Sequence, residues 1–264
     1  MKVKGLLLDV EGTIVKDKRY LPVSGAVEFL REIRRRDLPV RLVTNNTTDS
    51  RPEICEKLSS AGFDFPLSEI HTCIGAAARH LRDIDANRCL VVGRAGLKKM
   101  FVDEGFSVVS DSDADAVVVG LDTDLTYETL AVACDALVRC GASLIALHRN
   151  RLYIDELGRS SPSVGAIVEA LSYAAGVEPV LIGKPGREYY QQVLDDMGMS
   201  PGDVMVISDD PFSDLVGARR MGMSAALVLS GKYSDRSVVD RIASEERPHI
   251  IVDTVGDLVS GGWI

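Results

Sequence analysis

The chain has 264 residues, 46% hydrophobic and 26% charged, enough to bury the core of one large domain or two small ones. Its 30 basic and 39 acidic residues leave a net charge of −9, which argues against the dense Lys and Arg surface on which nucleic-acid affinity rests, while leaving room for a local basic pocket. No apolar run approaches ~20 residues, so no membrane span is expected.

In chain order, short apolar runs alternate with helical patterns. The N-terminal stretch "VKGLLLD" lacks the apolar core and cleavage site of a signal peptide and reads as a buried strand, which predicts a cytoplasmic protein. Ala26, Phe29, Leu30 and Ile33 share one helical face, with Ser24 placed as its N-cap. "PVRLVT" is the next strand. Ser50 and Glu53 have capping-box spacing around Pro52 and open a helix that Gly62 closes. "RCLVVG", "FSVV" and "ADAVVVG" follow as strands. Residues 126–140 form a helix stopped by Gly141, "ASLIAL" a strand, and residues 163–175 a helix ended by Gly176. "PVLIG", "DVMVIS", "SAALVL" and "HIIVD" complete the strands, with helices between them. Strands separated by helices of this length predict parallel βαβ units. The five cysteines, Cys55, Cys73, Cys89, Cys134 and Cys140, form no CxxC pair and read as buried small hydrophobes in a reducing compartment.

Three stretches suggest sites and are set aside. "VVGRAG" (91–96) lacks a full GxGxxG and reads as a plain strand–helix turn. "DSDADA" (111–116) lacks the glycine and distal glutamate of a calcium loop. "REIRRRD" (31–37) puts Arg31 and Arg35 on one outer helical face, as solvated charge.

Polar residues gather at the carboxyl ends of four strands. "GLLLD" ends at Asp9, "VRLVTNN" at Thr44, Asn45 and Asn46, and "PVLIGK" at Lys184. "VMVISDD" ends at Ser208, Asp209 and Asp210, with Asp214 in the next turn. Ligands of open parallel sheets bind outside those ends. Taken singly, each residue is as well explained by an ordinary turn or N-cap. The set is what predicts one crevice lined by carboxylates, a hydroxyl and a lysine.

Carboxylates sharing a cleft repel one another and need a cation, or one of them must stay protonated. Asp9, Asp209 and Asp214 offer hard oxygen ligands suited to Mg²⁺. Lys184 adds a fixed positive charge, and Thr44 with the backbone N–H groups after it offers donors to phosphate oxygens. Together they make an electrostatic clamp for phosphoryl transfer. An aspartate can be the nucleophile of such a reaction, and Glu11, two residues after Asp9, the acid that protonates the leaving oxygen and then activates water.

The ordered motifs "DVEGT", "VTNN", "GKP" and "SDDPFSD", with "VVVGLDTDLTYETL" and "CGASLIALHRN" between the second and third, resemble the haloacid dehalogenase-like superfamily, subfamily IIA. The resemblance covers nearly the whole chain. It implies an α/β fold, a Rossmann-like doubly wound parallel sheet core with an inserted α/β cap domain. The core is expected over residues 1–76 and 178–264 and the cap over 77–177. Carried over by position, Asp9 is the nucleophile and a Mg²⁺ ligand, with the backbone carbonyl of Glu11 and the carboxylate of Asp209 as further ligands. Asp214 holds metal-bound waters or Lys184, Thr44 and Asn45 bind the phosphoryl group, and Lys184 neutralises Asp9 and the transferred phosphate. Caps of this subfamily often mediate dimers, so a homodimer through the cap is among the expected assemblies.

The chain departs from the pattern at Ser208, where motif IV commonly begins with glycine, and at Glu11, where most phosphatases have aspartate. Glutamate keeps the acid but sets it one methylene further out. The reaction expected is Mg²⁺-dependent hydrolysis of small phosphate monoesters, the partner being a small phosphorylated metabolite rather than nucleic acid or membrane. Two alternatives stay open: a binding or regulatory protein weakened in hydrolysis, and a phosphotransferase passing the group to an acceptor hydroxyl. His148 and Arg149 are candidate specificity residues for an anionic or polar substrate tail, with Arg151, Tyr153 and Arg159 behind them; a solvated corner explains them equally well.

Overall fold

The computed structural model describes residues 3–154 and 158–264. Its strands are β1 (Gly5–Leu8), β2 (Val40–Thr44), β3 (Ile70–Thr72), β4 (Arg88–Val92), β5 (Ser107–Val109), β6 (Ala116–Val119) and β7 (Ser143–Ala146), then β8 (Leu152–Ile154), β9 (Ser160–Pro162), β10 (Val180–Leu181), β11 (Val204–Ser208), β12 (Ser224–Val228) and β13 (Ile250–Val252). Its α-helices are α1 (Ala26–Arg35), α2 (Arg51–Ser60), α3 (Cys73–Asp83), α4 (Ala95–Asp103), α5 (Tyr127–Arg139), α6 (Val164–Ala175), α7 (Arg187–Met197), α8 (Val216–Arg220) and α9 (Gly256–Ser260). The elements fall into two units. The first holds the residues up to Thr44, Arg51–His71 and Lys184–Ile264, and the second Asn45–Ser50 and Thr72–Gly183.

In the first unit six strands run in the order β13-β12-β11-β1-β2-β3. The β1 strand pairs in parallel with β11 on one side, Leu8 opposite Ile207, and with β2 on the other, Leu8 opposite Leu42. Strands that follow early in the chain lie on one side of β1 and strands from the C-terminal part on the other, so β1 is the topological switch point. Leu6, Leu8, Leu42 and Ile207 join Phe29 and Ile33 of α1, Ile54 and Leu58 of α2 and Leu258 of α9 in one apolar cluster. The intervening Leu7, Val43 and Val206, which point to the other face of the sheet, are equally buried. Burial on both faces is what an all-parallel sheet requires. Each such side chain contributes roughly 1.5–3 kcal/mol relative to an exposed one.

The second unit has a parallel sheet of its own, β10-β7-β6-β4-β5, and the hairpin β8–β9. Val92, Val117, Val119 and Leu144 pack with Ala133, Ala136 and Leu137 of α5 and Val164, Val168 and Leu171 of α6. Thr126 caps α5 by accepting the Thr129 N–H, and α6 ends in the left-handed Gly176.

Several expectations need correcting. Ser24 is not the N-cap of α1: Gly25 holds that place with φ 76°, and no side chain caps the helix. The left-handed turn at Gly25 carries the chain into the helix, and Glu28 in the first turn faces the helix dipole instead. "PVLIG" is not a strand of the first sheet. Val180 and Leu181 pair with Ile145 and Ala146 of β7, and Gly183 N–H continues to the Leu147 carbonyl. The expected boundary at 76/77 falls inside α3, whereas the division between units runs at 71/72 and 183/184. All five cysteines are free thiols, but Cys140 is exposed, because it sits where α5 ends and the chain turns away at Gly141. Among the described residues no helix is long and apolar enough to cross a membrane.

Candidate active site

The carboxyl ends of β1, β2 and β11 lie side by side, and they carry Asp9, Thr44 and Asp209. Lys184 is buried among them although no strand of this sheet delivers it. Its Nζ donates to Asp9 Oδ1 at 2.5 Å and to Asp214 Oδ2 at 2.7 Å. Burial works against the ammonium, but the charges of Asp214 and Asp9 outweigh it and hold Lys184 well above the ordinary lysine range. Asp9 is pushed well above the usual carboxylate range, by burial first, with Lys184 opposing and Asp214, Asp209 and Glu11 adding to the rise. One ammonium thus faces several carboxylates, and the cluster is short of positive charge.

Asp209 is raised to about 7, again by burial first. Its Oδ2 accepts the Lys232 N–H at 2.6 Å, and its own N–H donates to Thr13 Oγ1 at 3.1 Å. Two glycines press on this carboxylate. A Cβ at Gly12, whose φ is +79°, would stand 2.0 Å from Asp209 Oδ2, and one at Gly231 would stand 2.1 Å from it. Ser230 Oγ ties the same loop to the Gly12 carbonyl at 2.7 Å. Asp210 caps the π-turn Pro211–Leu215 by accepting the Phe212 and Ser213 N–H groups, and it pairs with Lys232 Nζ at 2.6 Å. Burial favours the neutral Asp210, but Lys232 and the Ser213 amide overcome it and hold the carboxyl below its ordinary value. Ser213 Oγ then donates to Asp214 Oδ1 at 2.7 Å. Ser208, the departure at the head of motif IV, uses its hydroxyl to accept the Asp210 N–H at 3.1 Å. Sequence reasoning passed over Thr13 and Lys232, and it placed Asp210 among the polar residues at the end of β11 without giving it a role. The signal for Asp210 was present, an Asp two and three residues before amides that need a cap. For Lys232 there was none, since its contact with Asp209 is made by the backbone and its side chain meets Asp210 from a loop far along the chain.

Thr44 is buried at the end of β2. Asn45 belongs to the second unit, where its Oδ1 would lie 2.4 Å from a Cβ at Gly183, the residue before Lys184. Asn46 is a turn residue: its Oδ1 accepts the Thr48 and Asp49 N–H groups. Glu11 is half-buried, in a bridge with Val15. In the second unit His148 is buried, its Nδ1 accepting the Asn150 N–H at 3.3 Å, and burial pushes its pKa down to about 4. Arg149 pairs with Glu169, and with Arg151 and Leu152 it lines an open cavity of about 670 Å³. Tyr153 is half-buried and Arg159 exposed.

Among the described residues no group of three or more His, Cys, Asp or Glu side chains is set to hold a metal by itself. A Mg²⁺ site asks less: it takes one or two carboxylates and completes its shell with waters and phosphate. Nothing among the described residues donates to Asp9 Oδ2 or Asp209 Oδ1, so each carboxylate keeps an oxygen for a cation while the other is fixed. With the shortage of positive charge, this donor set fits a hard divalent ion.

Two family models match the chain, one for haloacid dehalogenase-like hydrolases over residues 6–107 and an HAD-hydrolase-like one over 181–258. Haloacid dehalogenase-like hydrolase domain-containing protein 2 of Rattus norvegicus is 32% identical over 231 residues, 88% of this chain and 86% of its own. The chain belongs to the haloacid dehalogenase-like hydrolase family. The 5'-nucleotidase YutF of Bacillus subtilis is 29% identical to this family member and covers 97% of both chains. A solved p-nitrophenyl phosphatase from Archaeoglobus fulgidus superposes with a TM-score of 0.89 at 28% identity, over 99% of this chain and 100% of its own. The two family matches leave 108–180 between them, a stretch of the second unit. This hydrolase is an enzyme of the phosphatase kind, with the parallel α/β fold and inserted unit of its relatives.

Proposed function

We propose that this hydrolase cleaves small phosphate monoesters with the help of Mg²⁺, through an aspartyl-phosphate on Asp9. The observation that carries the reading is Lys184 Nζ, held between Asp9 Oδ1 and Asp214 Oδ2 at the switch point of the sheet. Asp9, Asp209 and the Glu11 carbonyl would hold the Mg²⁺, with Asp214 reaching it through water. The ion would supply positive charge to the carboxylates and the phosphoryl oxygens. The Asp9 carboxylate attacks phosphorus, while Lys184, bonded to its Oδ1, offsets charge on the transferred group. Thr44 and Asn45 donate to the phosphoryl oxygens. Glu11 protonates the departing oxygen, and the glutamate left ionised then takes a proton from the water that hydrolyses the acyl phosphate.

The second unit, residues 45–50 and 72–183, is proposed as the cap that excludes bulk water and favours small substrates. The Arg149 and Arg151 cavity is its candidate site for an anionic tail. The phosphatase names of the relatives favour hydrolysis over binding alone or transfer. Asp9→Asn tests the mechanism. Turnover of p-nitrophenyl phosphate with Mg²⁺ should vanish, and a phosphoryl adduct seen by mass spectrometry on the wild-type peptide containing Asp9 should be lost. Full activity in the variant, or release from the wild type that ignores Mg²⁺, would sink the proposal.

A further inference from the structure

The helix that follows Lys184 carries two adjacent tyrosines whose hydroxyls serve other elements of the first unit. Tyr189 is 1% exposed and Tyr190 0%. The Tyr189 hydroxyl stands between the end of β2 and β3. It accepts the Thr44 N–H at 3.0 Å and donates to the His71 carbonyl at 2.7 Å, with the Thr44 carbonyl 3.3 Å away. The Tyr190 hydroxyl donates to the main-chain carbonyl of Asp214 at 3.0 Å. Asp214 in turn receives Lys184 Nζ at 2.7 Å.

Two phenylalanines would bury as much apolar surface. A buried hydroxyl must be bonded to avoid a desolvation cost, so each oxygen ties its ring to one orientation and its partner to one place. The partners are not scattered through the core. They are the backbone of Thr44, in motif II, and the backbone of Asp214, in motif IV, and both are reached from the helix that opens after motif III.

We infer that Tyr189 and Tyr190 are positioning residues of the active site, Tyr189 fixing the phosphoryl-binding end of β2 and Tyr190 fixing Asp214 and through it Lys184. The inference rests on the proposed roles of Thr44 and Lys184. The two tyrosines act on different steps. Thr44 meets the phosphoryl group in substrate and product alike, so Tyr189 governs binding. Lys184 faces the attacking carboxylate, so Tyr190 governs turnover.

The test uses the full chain with Mg²⁺, p-nitrophenyl phosphate as substrate and orthophosphate as product inhibitor. Tyr189→Phe should raise KM and the orthophosphate inhibition constant about three- to tenfold, with kcat within about twofold, the scale of one lost buried hydrogen bond. Tyr190→Phe should lower kcat by about the same factor and weaken orthophosphate inhibition less than Tyr189→Phe does. Thermal melts accompany both. Lower melting temperatures with unchanged kinetic constants would reduce the pair to ordinary core residues, and the reverse pattern of effects would overturn the assignment. Thr44→Val and Lys184→Met separate this inference from the reading beneath it. If Thr44→Val leaves orthophosphate inhibition unmoved, or Lys184→Met leaves kcat unmoved, the proposed role of that residue fails and the inference with it. If both variants act as expected while the tyrosine variants do not, the tyrosine inference alone fails. Should Tyr189→Phe not fold, Tyr190→Phe decides by the same criterion.

Discussion

Glu11 sits where the chain turns back after β1. Gly12 N–H donates to the Val15 carbonyl at 2.6 Å, and the Ile14 and Val15 N–H groups donate to the Val10 carbonyl at 3.0 and 3.1 Å. The main chain at Glu11 is therefore fixed whatever side chain it bears, and Glu11→Ala removes the acid while keeping the carbonyl in place. We expect kcat to fall by about a hundredfold or more, the usual worth of a general acid, with orthophosphate inhibition changed less than about twofold. An unchanged kcat would leave Glu11 with its carbonyl role alone. Gly12 is more tightly constrained than its neighbour. Its φ of +79° costs any other residue about 1–2 kcal/mol. An added methyl would also displace the Asp209 carboxylate. Gly12→Ala should lower both the melting temperature and the Mg²⁺ affinity measured by calorimetry, and a loss of stability with Mg²⁺ affinity intact would contradict the metal role of Asp209. The acid pair and the glycine were legible in "DVEGT". The reason for the glycine was not, because the atom that crowds it comes from the far half of the chain.

Between residues and the whole lie the turns that hold the carboxylates. Lys232 clamps Asp209 with its backbone N–H and Asp210 with its side chain. The side chain is 52% exposed, so the pair is screened and contributes at most about 1 kcal/mol. Lys232→Ala keeps the amide bond and should leave activity within about threefold. Asp210→Ala removes the caps of the Phe212 and Ser213 amides as well, which costs about 1–2 kcal/mol, and it loosens the turn that carries Asp214. It should damage stability and kcat more than Lys232→Ala does; the opposite ranking in melts and rates would show that the lysine ammonium, not the capped turn, holds the site. At this scale the sequence was readable where the signal is local. Apolar runs gave the strands, Thr126 and Gly176 the helix ends, and "REIRRRD" proved to be surface charge, with Arg31 on Glu28 and Arg35 on Glu32. It misled where a partner decides. "PVLIG" reads as any buried strand, and pairing to β7, far from it in sequence, puts it in the other sheet.

For the molecule as a whole, buried titratable groups set opposing pH dependences. Burial lowers His148 from 6.5 to about 4, so the stability it contributes is complete above pH 6.5 and is lost as the pH falls through about 4. Between pH 7.5 and pH 5 this loss amounts to about 2 kcal/mol. Asp9 and Asp209 are raised, so in metal-free protein their contribution has the other sign: it is present at low pH and lost as the pH rises through the raised values, about 7 for Asp209. The difference between wild type and His148→Asn isolates the histidine. Unfolding by denaturant at the two pH values should show the variant losing about 2 kcal/mol less on acidification, and a difference that stays constant with pH would refute the assignment. The division into units has a consequence of another kind. The chain leaves the first unit between Thr44 and Asn45 and returns to it for good between Gly183 and Lys184. A gene shortened by joining His71 to Lys184 would place its seam beside the lysine that faces Asp9, and would strip residues 45–50 of the neighbours they pack with, Cys73 among them. The chain crosses between the units within "VTNN" and "GKP", the stretches that carry the proposed Thr44, Asn45 and Lys184 roles, so loss or exchange of the insertion in evolution would require both to be rewritten at the same time.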